Sequence, residues 1–544
     1  MKRTRSLPLL LALWCGALSL THAAIQLPAI FTDHMVLQQG QPVPIWGTSD
    51  PDEDITVTMG AQQQQATADA DGRWQVKLDP LTASIVPAEL KVSGASGIAT
   101  VKDVLVGEVW ICSGQSNMQW TVKQAANAEQ EIAAADFPQI RMFSLERTPA
   151  MTPQTDCKGT WTPTSPATAG EFSAVAYYFG RHLHRALKVP VGLINTSWGG
   201  TRVEAWTSRV ALDERPCATE MLEDWEKLLN SWDPVIEESS FKARKEAWQA
   251  KVKAIQKANA ALAAGAEKAP LPPAPRPPDD PTKTPHYPAV LFNGMIAPLI
   301  PYAVKGAIWY QGESNQRRAF QYQELLPTMI NDWRSRWNSK FSFYIVQLAS
   351  YGNRQPPTTE PGQDDTWVEL QEAQYLTALT LPRCGLVVTN DIGEKDDIHP
   401  KNKQEVGRRL ALWALAKDYD RDTTVFSGPL YKTSTIEGNT IRIDFDHVGG
   451  GLKTRDGGPL KHFQILGEGN AWHWAEARIE GDQVLVSSPG VVSPLGVRYA
   501  WAAWPEGANL INAEGLPASP FRTDDALPST LGVVSPFKEN LPAR

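Results

Sequence analysis

Val104-Leu105-Val106-Gly107-Glu108-Val109-Trp110-Ile111-Cys112, followed at once by Ser113-Gly114-Gln115-Ser116-Asn117-Met118-Gln119-Trp120, decides how the rest of the chain is read. The first nine residues are almost continuously apolar, as in a parallel-sheet strand buried on both faces, without the in-out alternation of a half-exposed one. The next eight turn polar and carry a glycine and two serines, the composition of a strand-to-helix loop. The pairing recurs. A helix-like run over 173–187 leads into Val191-Gly192-Leu193-Ile194, and a strand over 304–310 precedes a helix over 322–333 and a strand over 343–348. A helix over 367–379 then leads to Gly385-Leu386-Val387-Val388 and a last helix over 403–417. Such alternation predicts an α/β fold with a doubly wound αβα core.

Working outward, residues 24–103 hold short runs such as Trp74-Gln75-Val76-Lys77-Leu78 between Gly, Pro and Asp turns, which predicts a small β-sandwich domain. The α/β domain is expected over 104–420, and a second β domain over 421–544. One insertion, about 211–288, interrupts the core: a stretch rich in Ala, Lys, Glu and Trp that reads as helices with a charged face, then a connector with nine prolines over 270–288.

The 544 residues carry 52 Lys plus Arg against 60 Asp plus Glu, a net charge of −8, so neither nucleic acid nor an anionic membrane is expected as a partner. Hydrophobic residues at 42% and charged ones at 21% exclude wholesale disorder. Lys2, Arg3 and Arg5, an apolar run over 7–20 and small residues before Ala24 predict a cleaved leader over 1–23 and a periplasmic or secreted protein. That apolar run is too short to span a bilayer, so no membrane span is expected. The four remaining cysteines, Cys112, Cys157, Cys217 and Cys384, are compatible with one or two disulfides or with free thiols. Neither they nor the histidines show metal-ligand spacing.

In open α/β sheets, ligands bind beyond the carboxyl ends of the strands. Four loops there carry chemistry. Ser116 follows the first core strand, placed at a helix start where backbone N–H groups are available to an oxyanion. Gly199-Gly200 follows the second, flanked by Trp198, Arg202 and Trp206, with Arg202 expected to pair with Glu204. After Trp309-Tyr310 comes Gln311-Gly312-Glu313-Ser314-Asn315, where Gln311 or Asn315 can donate a neutral N–H to an oxyanion and Glu313, a carboxylate, cannot. Glu313 is expected to be buried and orienting. The last loop holds Asp396-Asp397-Ile398-His399, and Asp-x-x-His spacing lets Asp396 fold onto the imidazole and leave Nε2 as the base. Nucleophile, oxyanion donors, base and orienter together meet the requirements of acyl transfer. Trp198, Arg202 and Trp309 are the expected substrate-binding residues.

Gly114-Gln115-Ser116-Asn117-Met118, Trp198-Gly199-Gly200-Thr201, Gln311-Gly312-Glu313-Ser314-Asn315 and Asp397-Ile398-His399-Pro400 resemble, in order, the four blocks of the SGNH hydrolases, and more closely the sialate O-acetylesterase-like carbohydrate acetylesterases. The resemblance implies Ser116 as nucleophile, His399 as base, an acidic partner, and hydrolysis of acetyl esters on sugar hydroxyls without a cofactor. Asp396 fits the general spacing, whereas Asp397 is the neighbour that relatives display. The implied substrate is an acetylated oligo- or polysaccharide, such as xyloglucan or xylan fragments, or 9-O-acetyl sialate. An Arg202 committed to Glu204 favours the neutral glycan. The alternatives are a non-catalytic carbohydrate-binding protein using its Trp faces, and a glycoside hydrolase using Glu313 with an Asp.

Overall fold

The strand that opens the core is longer than its apolar run. β1 (Gly97–Gly114) has 18 residues, and its second half is buried without a break. The other strands of the central sheet among the described residues are β2 (Phe137–Leu145), β3 (Gly159–Thr164), β4 (Val191–Asn195), β5 (Gly306–Tyr310), β6 (Ser342–Val346) and β7 (Cys384–Val387). They lie in the order β7-β6-β5-β1-β4-β2-β3, every neighbour parallel except the edge pair β2–β3. The structure, a computed structural model, describes residues 24–262, 267–275, 277–278, 280–352 and 360–539; the expected leader over 1–23 lies outside them.

Helices cover both faces. α1 (Ser116–Gln119) follows β1 directly, and α2 (Ala174–Leu187), α3 (Ala319–Arg336), α4 (Thr366–Thr380) and α5 (Lys403–Asp418) form the two layers, α2 with α5 and α3 with α4. Aromatic pairs fasten the layers to the sheet. Trp110 meets Phe179 of α2 edge-on at 5.0 Å, and Trp309 meets Trp333 of α3 edge-on at 6.0 Å on the opposite face. The alternation of strand and helix thus produces the layered mixed α/β core. β2 and β3 were not apparent from pattern because Pro138 and Arg141 interrupt one and the other, at the edge, is rich in Thr.

The change of character at Asp103 falls inside β1. Asp103 takes a left-handed φ of 53° and accepts hydrogen bonds from Arg141 at 2.9 Å, with His34 Nδ1 at 2.6 Å. The chain bends there, so one strand serves both the N-terminal sheet, through Ser84–Gly94, and the central sheet. Val43–Thr48 pairs with Arg73–Leu78 as a separate ribbon, and the strict alternation of Arg73–Leu78 buries Trp74, Val76 and Leu78. At the other end, Leu430–Glu437, Thr440–Asp446, Gln483–Ser487 and Glu476–Glu480 form an antiparallel sheet whose core, with Ile443, Ile465, Val484 and Val497, is distinct from the main one. The helix Pro234–Ala260 buries none of its 27 residues. Cys112, Cys157, Cys217 and Cys384 are free thiols. No helix among the described residues is long and apolar enough to cross a membrane.

Candidate active site

β1 lies between β4 and β5, where successive connections leave in opposite directions, and sheets of this kind open a crevice at such a point. Gly114 ends β1 with a φ of 136°, and a Cβ there would lie 2.2 Å from the Tyr310 carbonyl oxygen. Only glycine lets the chain turn this close to β5 and start α1 at Ser116.

The side chains flanking Ser116 explain the polar run around it. Gln115 Oε1 accepts from the amides of Gly312 and Ser314 at 3.4 and 3.3 Å. Gln119 Oε1 accepts from the Gly199 amide at 2.7 Å. Asn117 Nδ2 donates to Glu313 Oε1 at 2.6 Å and to the Ile398 carbonyl at 3.0 Å. Each of the other three loops is therefore tied to the loop that carries Ser116. Gly199 approaches so closely that a Cβ on it would lie 3.2 Å from Ser116 Cβ. The amides of Ser116 and Gly200 make no hydrogen bond among the described residues.

His399 sits in the loop before α5. Its ring lies over Trp120, 4.6 Å between centroids and 12° from parallel. Asp397 is the carboxylate beside it: Oδ1 is 3.5 Å from Nδ1 and accepts the His399 amide at 2.9 Å. Asp396, expected in this role from its spacing, is exposed, and the carboxylate beside the imidazole Nδ1 is that of Asp397 instead. The local cause is the Asx turn, in which Asp397 closes onto the amide two residues on and so delivers its carboxylate to the ring. Burial lowers the His399 pKa, Asp397 opposes that shift, and Lys403 reinforces it. Ser116 and His399 share the cleft without a hydrogen bond between their side chains, a bond that often tightens only with substrate.

Behind the loops lie two groups of buried charge. Lys403 Nζ donates to Asn117 Oδ1, and Asn117 thereby bridges Lys403 and Glu313. Burial lowers the Lys403 pKa to about 7 despite Glu313, and burial raises that of Glu313 despite Asn117. Sequence reasoning left Lys403 unremarked, since nothing in its helical surroundings marks it as buried. The second group centres on Glu204. Burial alone would raise its pKa, but the guanidinium groups of Arg318 and Arg202 overcome this and hold it low. Glu204 is ion-paired with Arg318, whereas the ion pair of Arg202 is to Glu539 at 3.7 Å, which replaces the expected Arg202–Glu204 pair.

Three further expectations change. Gln311 and Asn315 are both 0% exposed, and neither lines the cleft. Gln311 Nε2 donates to Thr201 O and Asn315 Oδ1, Asn315 Nδ2 donates to Glu204, and Gln311 Oε1 accepts from Tyr322. Their amides hold loops together and do not open onto the cleft. Trp309, expected to touch substrate, is in the core between Trp206 and Trp333 because β5 is buried on both faces. Trp198 is half-buried against the core and does not line the cleft.

The cleft has a volume of about 770 Å³ and gathers Gln115, Ser116, Gly200, Arg202, Glu313 and His399. His286 and Glu539 also line it, and neither had been singled out. A second concavity of about 730 Å³ lies against the N-terminal strands, and no serine, cysteine or histidine lines it. Among the described residues no group of three or more His, Cys, Asp or Glu side chains is placed to hold a metal ion.

A serine and an imidazole at one sheet edge, with two unbonded amides beside the serine, make the arrangement of an ester hydrolase. A family model described as "Carbohydrate esterase, sialic acid-specific acetylesterase" matches residues 106–238 and 289–416, and the gap between them falls on the exposed helix and the proline-rich connector. A sialate O-acetylesterase of Rattus norvegicus is 29% identical over 537 residues, covering 91% of this chain and 93% of the relative. That of Homo sapiens is 28% identical over 523 residues, covering 88% of each. A carbohydrate acetylesterase from Xanthomonas citri, solved by crystallography, is 36% identical, superposes with a TM-score of 0.76, and covers 92% of this chain and 100% of its own. The chain belongs to this family of carbohydrate esterases and is a hydrolase of the acetylesterase kind.

Proposed function

We propose that the chain removes O-acetyl groups from sugar hydroxyls through an acetyl-enzyme on Ser116, within an SGNH-type core. Ser116 Oγ attacks the acetyl carbonyl while His399 Nε2 takes its proton. The amides of Ser116 and Gly200 receive the oxyanion of the tetrahedral intermediate. As the intermediate collapses, His399 returns the proton to the departing sugar oxygen. Water then gives a proton to His399 and attacks acetyl-Ser116, and as the second intermediate collapses His399 passes that proton to Ser116 Oγ, releasing acetic acid and restoring the serine and the neutral imidazole. Asp397 holds Nδ1, so that Nε2 is the nitrogen that works.

One contact carries this proposal: the Asn117 side chain, next to the nucleophile, donates to the carbonyl of Ile398, next to the base, at 3.0 Å. It ties the Ser116 and His399 loops directly together across an interval of 281 residues. Acetylated xyloglucan or xylan oligosaccharides and 9-O-acetyl sialate remain the substrate classes in view. The leader over 1–23 supports export, and the division into two β domains flanking the α/β body belongs to the same proposal. Replacing Ser116→Ala is expected to lower kcat on 4-nitrophenyl acetate about 10⁴-fold, with thermal unfolding unchanged. Retention of full activity would contradict Ser116 as nucleophile.

A further inference from the structure

The last described residues return to the catalytic body, and Glu539 reaches its cleft. Thr530 bonds Glu369 of α4 at 2.7 Å and accepts the Phe320 amide of α3 at 3.0 Å. Gln321 donates to the Val534 carbonyl at 2.8 Å, Ser535 donates to Asp224 at 2.8 Å, and Phe537 packs edge-on against Trp225 at 5.1 Å. This series of contacts delivers Glu539 to the cleft that holds Ser116 and His399. There its Oε1 accepts from Arg318 Nε at 2.9 Å, and its Oε2 lies 3.7 Å from Arg202.

The charges can be counted. Glu204 and Arg318 are wholly buried and paired with each other; Arg202 and Glu539 line the cleft. Two acids and two bases make the group neutral. Without Glu539 it would hold one net positive charge, presented to the cleft by Arg202, whose planar guanidinium suits a carboxylate. Arg317, also at the rim, is exposed, and an exposed guanidinium is hydrated and screened, so its pull on a ligand charge is small. Its Nη1 donates to the Glu539 carbonyl at 3.3 Å. The Glu313 carboxyl group lines the same cleft.

From this arrangement we infer that Glu539 is a specificity-determining residue. Its carboxylate stands where a substrate carboxylate would need to stand beside Arg202, so the cleft accepts neutral O-acetylated sugars and disfavours acidic ones. Specificity of this kind comes from an element that repels the wrong ligand as well as from contacts to the right one. The inference deepens the acetyl-enzyme chemistry proposed for Ser116 and rests on it.

The test compares kcat/KM for an acetylated xylo-oligosaccharide with that for 9-O-acetylated N-acetylneuraminate. The intact chain is expected to favour the neutral substrate by about tenfold or more. Glu539→Gln, which keeps an oxygen for Arg318, should raise the acidic-to-neutral ratio about tenfold, and Glu539→Asp should raise it much less. Adding Arg202→Gln to Glu539→Gln should return the ratio toward its starting value. Inhibition by free glucuronate, compared with xylose, should strengthen in Glu539→Gln in parallel. An unmoved ratio and unmoved inhibition in Glu539→Gln, or a preference of the intact chain for the acidic substrate, would overturn the inference. The esterase proposal is checked separately: if 4-nitrophenyl acetate is cleaved by the intact chain and not by Ser116→Ala, only the role of Glu539 is lost.

Discussion

The buried layer beneath the cleft and the cleft's rim are built on opposite principles. In the layer beneath it, Glu204, Arg318, Asn315 and Gln311 are all 0% exposed and joined by charge-assisted and amide hydrogen bonds. At the rim, Ser116, Asp397 and His399 are half-exposed, and the Asp397–His399 contact is a loose 3.5 Å. Buried polar networks fix geometry when fully satisfied and are costly when broken. Groups that must exchange protons with substrate and water have to stay under-bonded and reachable. Positioning in this site therefore comes from below, and reactivity is left to a few lightly held groups above.

Two substitutions separate the buried layer from the rim. His399→Ala should lower kcat on 4-nitrophenyl acetate about 10⁴-fold while stability moves by no more than about 0.5 kcal/mol. Arg318→Met strands the Glu204 carboxylate and should cost about 3–5 kcal/mol in urea unfolding, without supplying or removing a reacting group. If the two effects exchanged places, with His399 the structural residue, the division between buried layer and rim would fall.

A smaller and more diagnostic effect is in pH dependence. The base works when neutral, so kcat/KM should rise with pH through the His399 pKa, which burial places below 6.5, and should be flat at neutral pH. Lys403 pushes that pKa down and Asp397 pushes it up. Lys403→Met should therefore move the acid limb to higher pH, and Asp397→Asn should move it to lower pH. Asp396→Asn should leave the limb in place. Equal shifts from Asp396 and Asp397 would contradict the assignment of Asp397 as the carboxylate at Nδ1.

Much of this was legible in sequence because it rests on short-range signals. Continuous apolar runs located β1, β4, β5, β6 and β7, and the glycine that ends β1 with the serine after it located the turn that exposes Ser116. What failed was whatever depends on side-chain direction or on distant partners. Trp309 reads like a pocket wall because the strand is followed by a functional loop, but a strand buried on both faces gives its tryptophan nowhere to go except the core. Asp396 and Asp397 are adjacent in sequence, and only the turn geometry separates them. Arg202 was matched with its near neighbour Glu204, whereas Glu204 is held by Arg318, 114 residues away, and Arg202 faces Glu539. No local pattern ties residue 539 to residue 202.

The most direct check uses a fluorophosphonate that reacts covalently with an activated serine, followed by peptide mapping of the labelled protein. One adduct on Ser116 is expected, forming far more slowly in His399→Ala and absent in Ser116→Ala. Rapid labelling of a different serine, or undiminished labelling without His399, would contradict the pairing of these two residues as nucleophile and base.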